Sequence, residues 1–195
     1  MKILELTPVF GTKTKAQEIL LLLAGVKEVV RQGFYSEELD KVELFCKEHH
    51  LFLVKSQFKV VLSDNTFYSN QGLKVDSNED QGMFMVYFSK REDQALLASY
   101  YEQINDHRQL GLILGYPSCC VDFFCQNFSP EKTDLELNST NPWTNLSHRV
   151  EDSVLIYHFP CSSDCPESIK LAKQYFLIIV EQDLERGKEL LNQLF

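Results

Sequence analysis

The sequence lacks the long apolar runs and basic clusters that mark two large classes of protein. No stretch reaches the roughly 18 consecutive apolar residues that a membrane-spanning helix needs. The apolar run 19–24 fits helical periodicity better than a signal peptide. Its 19 basic residues stand against 28 acidic ones, a net charge of -9, which disfavours phosphate-backbone binding. We therefore expect a cytoplasmic protein with no membrane and no nucleic acid as partner; the sequence does not indicate an oligomeric state.

Several catalytic signatures are also missing. The sequence contains no Walker A loop, no GxGxxG fingerprint, no GxSxG elbow and no HExxH helix. Nucleotide hydrolysis, dinucleotide redox chemistry, serine hydrolysis and zincin chemistry therefore have no local support. The CxxxCxxC signature of radical S-adenosylmethionine enzymes is absent as well, because the residue three positions after Cys165 is Ser168.

The composition is that of a folded protein. The 195 residues are 44% hydrophobic and include 14 Phe and 8 Tyr, enough for a substantial core. This length suits a single domain, 1–195. It also permits a subdivision into an α/β part, 1–90, and a cysteine-rich, mainly helical part, 91–195.

The apolar periodicity predicts an α+β fold. A first helix is expected from Thr14, with an apolar face that continues to Gly33, and a second from Ser36. Strands are expected at 51–62, 66–68 and 83–88, with a turn at 63–65, so that a small antiparallel sheet follows the N-terminal helices. The C-terminal part is predicted to be mainly helical, to carry the cysteine site and to end in a long helix.

Two further predictions concern side-chain packing and a late strand. A helix from about Asp93 is expected to turn Leu97, Tyr100, Tyr101 and Ile104 inward. Residues 154–157 are expected to form a strand before Pro160.

Four of the six cysteines form two tight pairs at predicted helix starts. Cys119 and Cys120 follow Pro117 and Ser118 in GYPSCC, and Cys161 lies just before the long final helix, whose first turn is expected to hold Cys165. Backbone N–H groups at a helix start are unsatisfied and carry partial positive charge, which favours thiolates, and only the thiolate binds metal or attacks electrophiles. A reducing cytoplasm makes ligands or catalysts more plausible here than disulfides.

If these two helix starts meet, Cys119, Cys120, Cys161 and Cys165, helped by His158, hold a metal centre. The spacing suits an iron-sulfur cluster slightly better than zinc, because adjacent cysteines are unusual in zinc motifs. A metal-free thiol enzyme or redox switch and a structural zinc module that mediates protein contacts remain open alternatives. Cys46 and Cys125 are expected to be core residues.

The two cysteine motifs also carry a family resemblance. LGYPSCCVDFF and HFPCSSDCPES resemble an uncharacterised prokaryotic family, domain of unknown function 483, over roughly residues 105–176. Its pattern, an Arg-x-Leu-Gly segment, GYPxCC and HxPCSxxCxxS, is kept here from Arg108 to Ser168. The resemblance implies that these positions form one site and names no reaction.

Whether the protein is an enzyme is left open by the sequence. In the enzyme interpretation, a small polar substrate is oriented by Arg108 or Tyr116, and Ser168 supports a metal ligand from behind.

Overall fold

The computed structural model describes residues 1–62, 72–129, 135, 140–144 and 152–194. The helices are α1 (Ile3–Phe10), α2 (Lys13–Leu23), α3 (Leu39–Glu48), α4 (Glu92–Gln103), α5 (His107–Ile113), α6 (Ser118–Asn127), α7 (Pro166–Gln182) and α8 (Leu184–Leu194). The strands are β1 (Val29–Phe34), β2 (Phe52–Leu62), β3 (Gly72–Asp76) and β4 (Met83–Ser89). The predicted α+β class is confirmed.

The chain divides into two compact units. Unit 1 comprises Met1–Val26 and Tyr116–Phe195, and unit 2 comprises Lys27–Gly115. This division differs from the subdivision at residue 90 that the sequence suggests, because the first 26 residues pack with the C-terminal part. In the described ranges of both units, no helix combines the length and apolar character needed to cross a bilayer.

Unit 2 is built on an antiparallel sheet with the strand order β1-β4-β2-β3. The long strand β2 pairs with both β3 and β4, and a bulge between Lys55 and Lys59 interrupts its pairing with β4. The predicted antiparallel sheet is therefore confirmed. The predicted turn at 63–65 and the strand at 66–68 lie outside the described residues.

The first predicted helix is wrong in its second half. Helix α2 ends near Ala24, and Val29–Phe34 form strand β1 beside β4. The helix stops at Gly25, whose φ is +76°. The N–H groups of Gly25 and Val26 then bond to the carbonyls of Leu22 and Leu21, both at 3.0 Å, which is a Schellman end. The sequence predicted a longer helix because Val26 and Val30 happen to continue the helical spacing of apolar residues beyond Gly25.

The predicted inner face of α4 is also wrong. Leu97, Tyr100 and Ile104 are exposed, whereas Ala95 and Ala98 are fully buried. Helix α4 packs on β2 and β4, and the two alanines let it approach closely. Glu102 is buried on this face because the Arg31 guanidinium and the Tyr87 hydroxyl, at 2.7 Å, donate to its carboxylate.

Unit 1 has its core between α2, α7 and the segment 153–156. Its buried members are Leu21, Leu155, Ile156, Ala172, Tyr175, Ile179 and Leu190. The predicted strand at 154–157 is wrong, since this segment has no regular structure. Side chains, and not a neighbouring strand, donate hydrogen bonds to backbone carbonyls here. Gln17 Nε2 donates to the Val154 carbonyl at 2.6 Å, and Arg186 donates to the carbonyl of Asp152, just before the segment.

Two aspartates hold the helix ends of unit 1 in place. The Asp152 carboxylate accepts from the N–H groups of Lys13 and Thr14, at 2.6 and 2.8 Å, and so caps α2. Asp183 separates α7 from α8 and accepts from the Ile3 N–H at 2.8 Å. The predicted long final helix is α7, which reaches Gln182.

Candidate metal centre

The first cysteine pair lies at the start of α6. Pro117 has φ -56° and ψ 135°, an extended conformation, and Ser118 begins the helix directly after it. The N–H of Cys120 bonds to the Pro117 carbonyl at 2.9 Å, which closes the first turn. Cys119 and Cys120 therefore occupy that first turn, as the sequence predicts.

The second pair brackets a short loop that leads into α7. Cys165 is the residue before the helix, and Pro166 occupies the first helical position, where a missing N–H costs nothing. The N–H of Cys165 bonds back to the Ser162 carbonyl at 3.2 Å, which turns the loop and brings Cys161 and Cys165 together.

The sulfur atoms of these two segments converge. The Sγ of Cys165 lies 3.8 Å from the Sγ of Cys119 and 3.6 Å from that of Cys120, and the Sγ atoms of Cys119 and Cys120 are 3.9 Å apart. With Cys161 included, all four sulfurs lie within 4.8 Å of one another. This arrangement is compatible with a metal site.

The cluster has a buried side and an open side. Cys120 and Cys165 are 2% and 1% exposed, Cys161 is half-buried and Cys119 is exposed. Of the remaining cysteines, Cys46 belongs to unit 2 and is buried, as predicted, and burial raises its pKa to about 12.

Cys125 is exposed on α6, so the prediction that it is a core residue is wrong. The helix buries Cys120 and Val121. Cys125 lies one position past Phe124, which stacks on Phe128 with ring centroids 4.6 Å apart. It also lies four positions after the buried Val121, on the same side of the helix, so the burial of α6 is confined to its first turns.

Hydrogen bonds reach the cluster from its buried side. The N–H of Cys161 donates to the Cys120 sulfur at 3.4 Å, and the Ser168 hydroxyl lies 3.2 Å from the same sulfur. His158 Nε2 lies 2.8 Å from the Ser168 hydroxyl oxygen. If Cys120 is a thiolate, the donors in this series of hydrogen bonds are all matched. His158 N–H donates to the Ser168 oxygen, and Ser168 O–H donates to the Cys120 sulfur.

The pKa values of Cys120, Cys161 and Cys165 are shifted in different directions. Burial raises the pKa of Cys120, and it raises the pKa of Cys161 to about 11 with help from the neighbouring Cys165. Burial acts in the same direction on Cys165, but interactions with the Ser168 hydroxyl and backbone N–H outweigh it and lower the pKa of Cys165 to about 7. Of these three thiols, Cys165 is thus the one that most readily presents a thiolate to an incoming cation.

The other predicted site residues differ in their relation to this cluster. His158 is not among the four convergent ligands; it contacts the cluster through Ser168, and its ring lies against that of Tyr116 with centroids 5.2 Å apart. Ser168 is completely buried and touches Cys120 directly. Arg108 belongs to unit 2, on α5, and its substrate role stays a prediction.

A polar clamp on the 161–165 loop was missed by the sequence analysis. Ser163 Oγ accepts from the N–H groups of Thr140 and Asn141 at 2.8 and 3.0 Å, Asn141 Nδ2 donates to Asp164 at 3.2 Å, and Thr144 Oγ1 donates to the Ser163 carbonyl at 2.5 Å. The Asn141-Pro142 dipeptide is a turn signal that could have marked this segment. No local sequence pattern in the 161–165 loop indicates that this segment binds to it.

No family model, curated protein or solved structure matches this chain.

Proposed function

We propose that Cys119, Cys120, Cys161 and Cys165 bind one tetrahedral divalent metal ion, and that this ion is zinc. The observation that carries the proposal is the sulfur spacing. Four thiolates at the zinc–sulfur bond length of roughly 2.3 Å stand about 3.8 Å apart in a tetrahedron. The three sulfur–sulfur distances of 3.6, 3.8 and 3.9 Å agree with that value.

The same spacing argues against the iron-sulfur cluster that the sequence slightly favours. A [4Fe-4S] cluster places a cube of iron and sulfide between its cysteine sulfurs, so those sulfurs stand well apart. Here all four lie within 4.8 Å of one another. A cube would require the two helix starts to separate, whereas the sulfurs of Cys119, Cys120 and Cys165 already stand at the spacing that a single ion needs. The sequence slightly favoured the iron-sulfur cluster over zinc because the spacing of cysteines along the chain gives no distances between their sulfur atoms.

In this proposal the zinc joins the start of α6 to the start of α7. Four protein ligands complete the coordination shell, which is typical of structural zinc. The Ser168 hydroxyl and the Cys161 N–H would stabilise negative charge on Cys120, and His158 would hold Ser168 in place. His158 is then a supporting residue and not a ligand. Membership of the family that the motifs resemble also stays a proposal.

Metal analysis of the full chain, purified under reducing conditions without chelator, tests the proposal. We expect one zinc per chain and no sulfide. Replacing Zn²⁺ by Co²⁺ should give the strong visible absorption of tetrahedral cobalt bound by thiolates. Cys120→Ser and Cys161→Ser should each lose the metal, and Cys125→Ser, at an exposed cysteine of the same helix, should keep it. A reduced wild-type chain that takes up no zinc from a stoichiometric solution would contradict the proposal.

A second candidate function is metal-free thiol redox chemistry. It is favoured by one observation: Cys165, whose interactions with Ser168 lower its pKa to about 7, has the Cys120 sulfur 3.6 Å away. In this candidate the Cys165 thiolate attacks an oxidised sulfur or a peroxide, and Cys120 resolves the product as a disulfide. If the four cluster cysteines of the metal-free chain all remain free thiols after mild peroxide treatment, this candidate is ruled out.

A further inference from the structure

The four sulfurs of the cluster differ in how they meet solvent and hydrogen-bond donors. Cys120 is buried and has two donors in contact, the Ser168 hydroxyl and the Cys161 N–H. Cys165 is buried and interacts with Ser168. Cys119 is exposed, and the hydrogen-bond contacts described for its sulfur are with other cysteine sulfurs. A thiolate that accepts hydrogen bonds shares its charge with the donors, so a sulfur without N–H or O–H donors is the more electron-rich. Among the described contacts this holds for Cys119 and Cys161, and Cys119 is the more exposed of the two.

We infer that Cys119, bound to the metal of the proposed centre, is a nucleophile that accepts an alkyl group from a small, soft electrophile. The inference rests on the proposed function, because metal coordination keeps a thiol deprotonated without a general base. Cys119 is the most exposed of the four cysteines, and the half-buried Cys161 comes next, so a reagent from solvent reaches Cys119 most easily. The buried pair, Cys120 and Cys165, would hold the ion while Cys119 reacts.

The step balances without a further reactant. A lone pair of the Cys119 Sγ attacks the electrophilic carbon, a sulfur–carbon bond forms, and the bond from that carbon to its leaving group breaks. The leaving group departs with the bonding electron pair, and no proton moves. Cys119 becomes a neutral thioether, and the net charge of the ion with its four ligands changes from -2 to -1.

The charge of the site selects the class of electrophile. Four thiolates around a divalent ion carry a net -2, and the whole chain carries -9 at neutral pH. An anionic reagent is repelled by both, whereas a neutral or cationic one is not. The substrate class is therefore a small neutral or cationic alkyl donor.

Competitive alkylation of the zinc-loaded full chain tests this assignment. The chain, with its zinc content measured first, is treated with less than one equivalent of iodoacetamide, and the modified cysteines are located by peptide mass spectrometry. In a Cys125→Ser background, which removes the other exposed thiol, we expect the first alkyl group on Cys119, with zinc retained. Modification of Cys161 first, an even distribution over the four cysteines, or an unreactive Cys119 would each overturn the inference.

A second arm tests the charge selectivity, with Cys125 of the wild-type chain as an internal reference. Replacing iodoacetamide by anionic iodoacetate should lower the ratio of modified Cys119 to modified Cys125 by about fivefold at low ionic strength, because the site carries the extra charge. An unchanged or higher ratio would contradict the selectivity. A chain that holds no zinc contradicts the proposed function, whereas a zinc-loaded chain with unmodified Cys119 contradicts only this inference.

Discussion

At the scale of the single residue, Ser168 is the side chain on which the cysteine cluster most depends. It is completely buried, and its hydroxyl lies 3.2 Å from the Cys120 sulfur and 2.8 Å from His158 Nε2. We expect Ser168→Ala to weaken zinc binding by roughly 10- to 100-fold, as loss of a group that supports a metal ligand typically does. Competition with a chromophoric chelator measures the change.

The matched control for Ser168→Ala is Ser162→Ala. Ser162 lies in the same loop sequence and is exposed, so its substitution should leave zinc affinity unchanged. Equal affinities for wild type and Ser168→Ala would show that the Cys120 sulfur does not need the hydroxyl.

Glu102 is the residue that determines how unit 2 responds to acid. Burial raises the pKa of Glu102, but the Arg31 guanidinium and the Tyr87 hydroxyl outweigh it and hold the pKa below its ordinary value. A carboxylate whose pKa is lower in the folded chain than in the unfolded chain stabilises the fold above the unfolded pKa, near 4.3. That contribution is lost as the pH falls through the lower, folded pKa.

We therefore expect Glu102→Gln to lower the free energy of unfolding by about 2 to 3 kcal/mol at pH 7. This is less than for a fully buried ion pair, because Arg31 remains one-third exposed. The deficit should begin to shrink at about pH 4, just below the unfolded pKa, and should disappear only once the pH falls through the lower, folded pKa, where wild-type Glu102 becomes neutral. Urea unfolding at both pH values measures it. Glu92→Gln, at an exposed position of the same helix, is the control, and a deficit that does not depend on pH would contradict the argument.

At the scale of the element, the contact between α7 and α8 depends on the absence of a side chain. A Cβ added at Gly187 would lie 2.5 Å from Val180 Cγ2 and 3.3 Å from Val180 Cα. The branched Val180 side chain and its backbone have little freedom to retreat. We expect Gly187→Ala to lower the free energy of unfolding by about 1 to 2 kcal/mol, since overpacking outweighs the gain of up to ~1 kcal/mol in helix propensity.

The control for Gly187→Ala lies on the same helix. Asn192 is exposed on α8, and Asn192→Ala should leave stability unchanged or raise it slightly, because alanine is the better helix former. Thermal unfolding of both variants compares them. A stabilised Gly187→Ala would mean that the two helices separate at little cost.

The elements also show which structural features the sequence could predict. Helix starts were predicted well at α6 and α7, because Pro117 and Pro166 are strong local signals. The inward face of α4 was predicted wrongly because hydrophobicity marks Leu97 and Tyr100, whereas the sheet accepts the small Ala95 and Ala98 instead. Which face is buried is decided by the shape of the partner surface, and a local apolar pattern carries no information about that shape.

At the largest scale, hydrogen bonds join the segment 140–144 to the loop that carries Cys161 and Cys165. Ser163 lies between the two loop cysteines, and its Oγ accepts from the backbone of Thr140 and Asn141. Removing zinc should loosen the 161–165 loop and with it these two hydrogen bonds. We expect the amides of Thr140 and Asn141 to lose protection from hydrogen exchange when the metal is chelated.

Hydrogen exchange followed by mass spectrometry or NMR measures that loss. The amides of β4, which bond within the sheet of unit 2, are the internal reference. Protection at 140–141 that is identical with and without metal would show that the segment is held independently of the loop.

The convergence of the four cysteines was predictable from the sequence only as a possibility. The spacing of the pairs and their helix starts indicated which residues matter, and the structure brings those four together. The metal preference depends on distances of a few tenths of an ångström, which arise from how α6 and α7 pack. The clamp by Thr140 and Asn141 joins residues more than 20 positions away from Ser163, so no local pattern could indicate it.

Unit 1 takes Met1–Val26 from one part of the chain and Tyr116–Phe195 from another, with the contiguous unit 2 between them. During translation, α1 and α2 therefore leave the ribosome well before α7, which packs on α2. The leucines of α2 that face α7 in the folded protein therefore lack this packing partner during most of synthesis. All of unit 2, in contrast, has been synthesised by residue 115. A nascent chain stalled near that point should already hold a folded sheet and two helices that still lack their packing partner α7, a species that a chaperone for exposed apolar segments would recognise.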